Sequence, residues 1–253
     1  MTKTALITGA AKRIGKGIAL ALAIDGYDVA IHFSESNTDA QNLRDQLKQL
    51  GIQATCLKAD LMDDRQIASL VDRASESLGN ELTLLINNAS IFEEDSIKTM
   101  TLESWDRHIY TNLKAPAFLS QAFANQVSKC ALDQNGESLS KSNIINIIDQ
   151  KVLNTNPNFL TYTLAKSGLW NLTRLSAQAL GPDIRVNAIG PGPVLKASHQ
   201  SEEHFQKQRK DTILGRGSDV DEICNAIKFI LASPGFTGQM LSIDGGEHLK
   251  WYI

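Results

Sequence analysis

The sequence predicts an α/β protein built on a doubly wound, mostly parallel seven-stranded sheet with helices on both faces. Three observations carry this. Seven short apolar runs recur along the chain, at 5–8, 29–33, 54–57, 82–86, 144–148, 184–189 and 240–243. Segments of helical period lie between them. Glycines follow several of those segments, where a left-handed residue ends a helix. Strand–helix–strand alternation implies parallel strands, and right-handed crossovers then place helices on both faces.

In chain order, the first run leads into Ile14, Ile18 and Leu22, spaced i, i+4, i+8, with Gly26 after them. Leu43, Leu47 and Leu50 follow the second run, and Gly51 ends that pattern. Ile67, Leu70, Val71, Ala74 and Leu78 follow the third, before Gly79. The fourth run ends in the amides Asn87 and Asn88, and Asn112 lies in the long helical pattern after it. The polar stretch 133–143 reads as a loop. The fifth run ends at Asp149 and precedes a helix with Tyr162 and Lys166. The segment 194–217 after the sixth run is expected to cover the substrate, with 198–210 as a lid helix. Ligands of such sheets bind at the carboxyl ends of the strands, so functional residues are expected just after the runs.

Composition narrows the function classes. The chain has 253 residues, 42% apolar and 21% charged, which suits a globular protein folded as one domain over 1–253. A net charge of −3 gives no electrostatic footprint for nucleic acid or an anionic membrane. Cys56, Cys130 and Cys224 form no metal spacing and read as reduced thiols, so no metal is expected. Without a signal-peptide pattern or an apolar run of membrane length, a cytoplasmic location is expected.

Five constellations carry the chemistry. The turn Thr8-Gly9-Ala10-Ala11-Lys12-Arg13-Ile14-Gly15 leads a strand into a helix N-terminus, where free N–H groups and the helix dipole favour a phosphate. Without the full GxGxxG spacing, this turn alone is equally a small-residue strand–helix junction. Tyr162 and Lys166, four apart, share one helix face, and a nearby ammonium stabilises a phenolate. The others are Asn87-Asn88-Ala89-Ser90, Asn112 and Gly190-Pro191-Gly192-Pro193.

In this order and approximate spacing the set resembles the short-chain dehydrogenase/reductase family across nearly the whole chain, ending at Asp244-Gly245-Gly246. The resemblance implies a Rossmann-type fold, a nicotinamide cofactor and hydride transfer. It makes Tyr162 the proton donor, has Lys166 lower the tyrosine pKa and bind the nicotinamide ribose, and has Asn112 hold a proton-relay water. It places the cofactor on Gly9, Arg13, Ile14, Gly15, the third-strand end Asp60-Leu61, Asn88, Ala89, Ser90, Tyr162, Lys166, Pro191, Gly192 and Val194. It also implies a homotetramer, which would bury the apolar C-terminal tail; Trp105 and Trp170, with no partner in the motif set, read as core or interface residues.

Three departures are similar to pteridine reductases and dihydromonapterin reductases: Asp149 where a Ser is usual, Arg13 where a glycine is usual, and Ser90 with Phe92 after the fourth strand. A Ser hydroxyl can polarise a carbonyl, whereas an ionised Asp only accepts hydrogen bonds. Asp149 therefore argues for an amine-rich heterocycle rather than a simple ketone, although an Asp there also suits a turn or cap. The expected substrate is a dihydropterin, or dihydrofolate, held by Arg13, Ser90, Phe92, Asp149 and Tyr162, with Phe92 as stacking wall. The alternative is a carbonyl reductase of the 3-oxoacyl-carrier-protein type. At the second-strand end, Phe33 takes the place of the acid that would select NAD, and His32, Ser34, Ser36 and Arg13 are expected to receive the extra phosphate of NADP(H). Glu35 opposes that choice.

Overall fold

The computed structural model describes residues 2–197 and 200–251. The sheet contains β1 (Thr4–Ile7), β2 (Asp28–Phe33), β3 (Ala54–Lys58), β4 (Leu84–Asn87), β7 (Ser142–Ile147), β8 (Ile184–Pro191) and β9 (Met240–Ile243). Their order is β3-β2-β1-β4-β7-β8-β9, and every pairing is parallel. The order reverses direction between β1 and β4, which opens a crevice at their carboxyl ends.

Alternation along each strand decides the layers. Ala5 and Ile7 join a core with α1 (Arg13–Ile24) and α8 (Val220–Ala232) on one face, where Ile18, Leu22, Ile223 and Ile227 pack. Leu6, pointing the other way, joins Ile67, Leu70, Leu119 and Phe123 from α3 (Asp64–Leu78) and α5 (Ala115–Gln126). The strands are buried on both faces, so they read as continuous apolar runs. The helix α2 (Asn37–Gln49) packs at the β2–β3 side of the sheet. The glycine stops hold: Gly79 is the left-handed C-cap of α3 at φ 68.

Two elements differ from the sequence reading. The stretch 133–143 is not a plain loop. It carries most of a small antiparallel hairpin, β5 (Ala131–Leu132) with β6 (Ser138–Leu139), and the start of β7. The helix α4 (Leu102–Ile109) does not run smoothly into α5, because a π turn at Tyr110–Lys114 joins them and Pro116 opens α5. Trp105 lies on the surface at 38% exposure, not in the core. The span expected to form a lid helix contains the helix α7 (Glu202–Lys210), and residues 198–199 of that span lie outside the described residues. Tyr252 and Ile253 of the tail lie outside them too.

Candidate active site

The first turn and the end of β4 are tied into one unit. Thr8 Oγ1 accepts from the N–H groups of Asn88 and Ala89 at 2.9 and 3.0 Å. Asn88 Nδ2 donates back to the carbonyls of Thr8 and Gly9. Gly9 has φ +62, and a Cβ there would stand 2.9 Å from the Ala89 Cα. A Cβ at Gly15 would strike the Gly9 carbonyl. Side chains are excluded from this turn so that backbone comes close to backbone, and the N-terminus of α1 faces the crevice.

Arg13 takes φ 55, a left-handed conformation that costs an ordinary residue about 1–2 kcal/mol. Its guanidinium donates to the Leu195 carbonyl at 3.1 Å, bridging the turn to the segment after β8. Arg13, Ile14, Asn88 and Ser90 line both the crevice beside β2 and the larger cleft of about 1000 Å³ that contains Asp149 and Tyr162. Pro191, Gly192 and Val194 line the larger cleft, and Gly9, Gly15, Asp60, Leu61 and Ala89 line the crevice. The sequence-predicted set is thus largely brought together.

The second-strand end departs from expectation. Phe33 is buried in the core, so the position facing the crevice falls to Ser34 and Glu35. His32 accepts from the Gly9 N–H on Nδ1 at 3.1 Å, and its Nε2 donates to the Ala59 carbonyl at 3.1 Å. Burial pushes its pKa down to about 4, so the ring is neutral near pH 7. Both nitrogens are engaged, and His32 shapes the turn instead of donating to a phosphate. Ser36 sits at the start of α2 and lines neither cleft. Lys12, which sequence reasoning passed over, lines the crevice and pairs with Asp39 at 3.0 Å. Glu35 lies 3.9 Å from Lys58, which offsets part of its charge.

At the heart of the larger cleft, Tyr162 Oη donates to Asp149 Oδ2 at 2.7 Å. The other oxygen of Asp149 accepts from the Lys151 N–H at 2.8 Å and caps the short turn Gln150–Val152. Asp149 thus caps this turn, as its sequence position allowed, and accepts from Tyr162 with its other oxygen. Burial, then the charge and hydrogen bond of Asp149, hold the Tyr162 pKa well above its ordinary value. This is the reverse of the lowering expected from Lys166, and it keeps the phenol protonated. Lys166 is buried, and its Nζ donates to the Ile147 carbonyl at 2.9 Å. Burial lowers its pKa to about 8, against the opposing charge of Asp149.

Asn112 is fully buried on the π turn and lines neither cleft. Its side chain accepts from the Ile91 N–H and donates to the Ile91 carbonyl at 3.0 and 2.9 Å. Those side-chain groups hold the loop that carries Ser90 and Phe92. The Phe92 ring stacks on Phe159 at 4.3 Å between centroids and meets Tyr162 edge-on at 4.7 Å. Phe92, the expected stacking residue, is thus itself stacked on a second ring. Phe159 was missed because only tertiary structure brings it, at φ 57, to the start of α6 (Leu160–Leu180) and onto Phe92. A buried network under the wall was missed as well. Thr161 donates its N–H to Asp95, its hydroxyl meets His108 Nδ1 at 2.8 Å, and His108 Nε2 accepts from the Glu93 N–H.

A parallel sheet with a glycine-lined crevice at its reversal point and a buried Tyr–Lys pair beside it defines a nucleotide-dependent oxidoreductase. Residues 3–207 match the short chain dehydrogenase family, and the chain belongs to that family. Among solved structures, it is similar to FolM alternative dihydrofolate reductase 1 from Brucella suis in complex with NADP, at 38% identity and a TM-score of 0.92, covering 100% of this chain and 98% of that one. It is also similar to a short chain dehydrogenase from Burkholderia cenocepacia in complex with NADP, at 29% identity and a TM-score of 0.88, covering 98% of each chain. Among curated proteins, the 3-oxoacyl-[acyl-carrier-protein] reductase FabG of Staphylococcus aureus is 28% identical over 98% of this chain and 99% of its own. Among the described residues no helix is long and apolar enough to cross a membrane.

Proposed function

We propose that this oxidoreductase is an NADPH-dependent reductase of a dihydropterin, with dihydrofolate as a related substrate. The observation that carries the reading is the 2.7 Å hydrogen bond from Tyr162 to Asp149, which puts an acceptor where a ketone reductase needs a second donor. The similarity to the Brucella FolM protein supports it.

The cofactor is NADP(H), and the cradle fits it. Gly9 and Gly15 let the turn pack against Ala89 and the Gly9 carbonyl, where a Cβ would clash, and this close packing leaves the helix N-terminus free to take a phosphate. Arg13, Lys12 and Ser34 line the crevice and would supply donors to the extra phosphate, and Asn88, Ala89 and Ser90 line it too. When bound, NADPH supplies the hydride.

The chain's own residues supply the rest. Tyr162, protonated and buried, holds the proton that a reduced C=N nitrogen takes up. Asp149 accepts from N–H groups of the heterocycle, which takes over a hydrogen bond that the phenol now makes. Lys166 supplies a buried positive charge that stabilises the phenolate left behind. Asn112 is a positioning residue that fixes Ile91 and, with it, Ser90 and Phe92. Phe92 and Phe159 give a flat aromatic substrate its wall. We read the chain as a homotetramer, supported by exposed apolar residues on α4 and α5 such as Leu102, Trp105 and Phe118.

The similarity to FabG favours a second reading, a carbonyl reductase of the 3-oxoacyl type. One experiment separates the two. NADPH oxidation is followed with dihydrobiopterin, dihydromonapterin, dihydrofolate and an acetoacetyl thioester side by side, for the wild type and for Asp149→Ser. Turnover of a dihydropterin that falls in the variant supports the first reading. Efficient turnover of the thioester alone overturns it in favour of the second.

A further inference from the structure

Asp149, Tyr162, Phe92 and Phe159 line the larger cleft together with His204, Phe205 and Gln208 of α7. Glu247 lines the same cleft from the short turn Glu247–Leu249 after β9, which packs against the Gln150–Val152 turn. It terminates a chain of amides. Gln200 accepts from the Ala197 N–H at 3.4 Å, and its Nε2 donates to Gln208 Oε1 at 3.1 Å. Gln208 Nε2 in turn donates to Glu247 Oε1 at 3.1 Å. Every link donates toward Glu247, so the carboxylate is the final acceptor and is held in place by α7.

Its second oxygen is different. Glu247 Oε2 is buried and has no hydrogen-bond partner among the described residues, and the same is true of Gln150 Oε1 on the neighbouring turn. A buried acceptor without a donor is costly, and natural structures leave few of them. Burial holds the Glu247 carboxyl above its ordinary range. Gln208 and Lys151 oppose that rise, and the carboxylates of Asp149 and Asp244 add to it. Two unsatisfied acceptors on adjoining turns that line a substrate cleft fit a ligand that brings neutral donors. The same carboxylates disfavour a ligand that brings anions.

We infer that Glu247 is a specificity-determining residue, which accepts from hydroxyl groups on the side chain of a dihydropterin and disfavours a substituent carrying its own carboxylates. The inference rests on the dihydropterin reading above. The ring is assigned to Tyr162 and Phe92, the proton donor and the aromatic surface, and its substituent to Glu247 and α7, which line the same cleft.

The test compares two substrates with the same ring, a 6-hydroxyalkyl-7,8-dihydropterin and 6-methyl-7,8-dihydropterin, with dihydrofolate as the carboxylated case. NADPH oxidation is measured for the wild type, Glu247→Leu and Glu247→Gln. Hydrogen bonds to the Glu247 carboxyl group give the wild type about a tenfold preference in kcat/KM for the hydroxyalkyl compound, expressed mainly in KM. Glu247→Leu brings the two compounds within about twofold of each other. Glu247→Gln keeps an acceptor for Gln208, retains part of the preference, and lowers the KM for dihydrofolate severalfold. Wild-type indifference to the hydroxyls overturns the inference, as does a full preference surviving in Glu247→Leu, while the dihydropterin reading stands. A wild type that reduces none of the three overturns the reading and the inference together. NADPH binding by each variant reports folding, and if Glu247→Leu does not fold, an unchanged dihydrofolate KM in Glu247→Gln is the overturning result.

Discussion

Replacing Lys166 with Met is expected to stabilise the protein while removing its activity. Lys166 is 2% exposed and its pKa stands at about 8 against an ordinary 10.5. Holding the ammonium in the folded state below pH 8 therefore costs about 3 kcal/mol relative to the unfolded chain. The sign follows from proton counts. Between pH 8 and 10.5 the unfolded state binds more protons than the native state, so the penalty is full below that window and fades as pH rises through it. Met keeps the stem and removes the charge. It also removes the hydrogen bond to the Ile147 carbonyl, which offsets about 1 kcal/mol. The net gain near pH 7 is about 2 kcal/mol, or about 4–8 °C in Tm for a chain of this size. The assay is urea unfolding of both proteins, without NADPH, at pH 7 and pH 9.5. The advantage of Lys166→Met should shrink by about 2 kcal/mol between the two. A variant that is less stable at pH 7, or a difference that does not change with pH, would refute the reasoning that burial strains this lysine.

Other perturbations separate the remaining roles. Tyr162→Phe should lower kcat by about 10²–10⁴-fold while the NADPH Kd measured by fluorescence titration stays within about twofold, since the ring stays and only the proton is lost. Arg13→Gly should relieve the left-handed strain at φ 55, leaving melting temperature equal or higher, yet weaken NADPH binding about tenfold or more through the lost guanidinium; unchanged affinity would remove Arg13 from the phosphate site. His32, with a pKa lowered from 6.5 to about 4, contributes about 3 kcal/mol that is present above pH 6.5 and lost as pH falls toward 4, because the unfolded chain takes up the proton first. Acid unfolding of His32→Asn should accordingly show a flatter limb across that window, and an equally steep one would show that other groups set it.

The seven runs and their glycine stops were legible in the sequence because a strand buried on both faces needs a continuous apolar run and a helix needs a period of 3.6. The order of motifs at strand ends was legible for the same reason, since a parallel sheet brings all its carboxyl ends to one edge. That is why Gly9, Arg13, Asn88, Asp149, Tyr162 and Pro191 line the clefts as their positions in the chain imply. Side-chain direction was not legible. Whether Phe33 or Ser34 faces the crevice depends on the parity of one strand, and a single residue reverses it. The sequence offers His32 as a donor, but both its nitrogens are taken by Gly9 and Ala59, partners 23 and 27 residues away. The hydrogen bond between Tyr162 and Asp149 likewise decided the direction of the tyrosine pKa, because burial and a neighbouring carboxylate outweigh a lysine that the spacing alone places nearby. Phe159 and Glu247 carry no local pattern at all. Each acquires its place from contacts made across the fold, Phe159 on Phe92 and Glu247 under Gln208, so tertiary structure alone assigns them to the cleft.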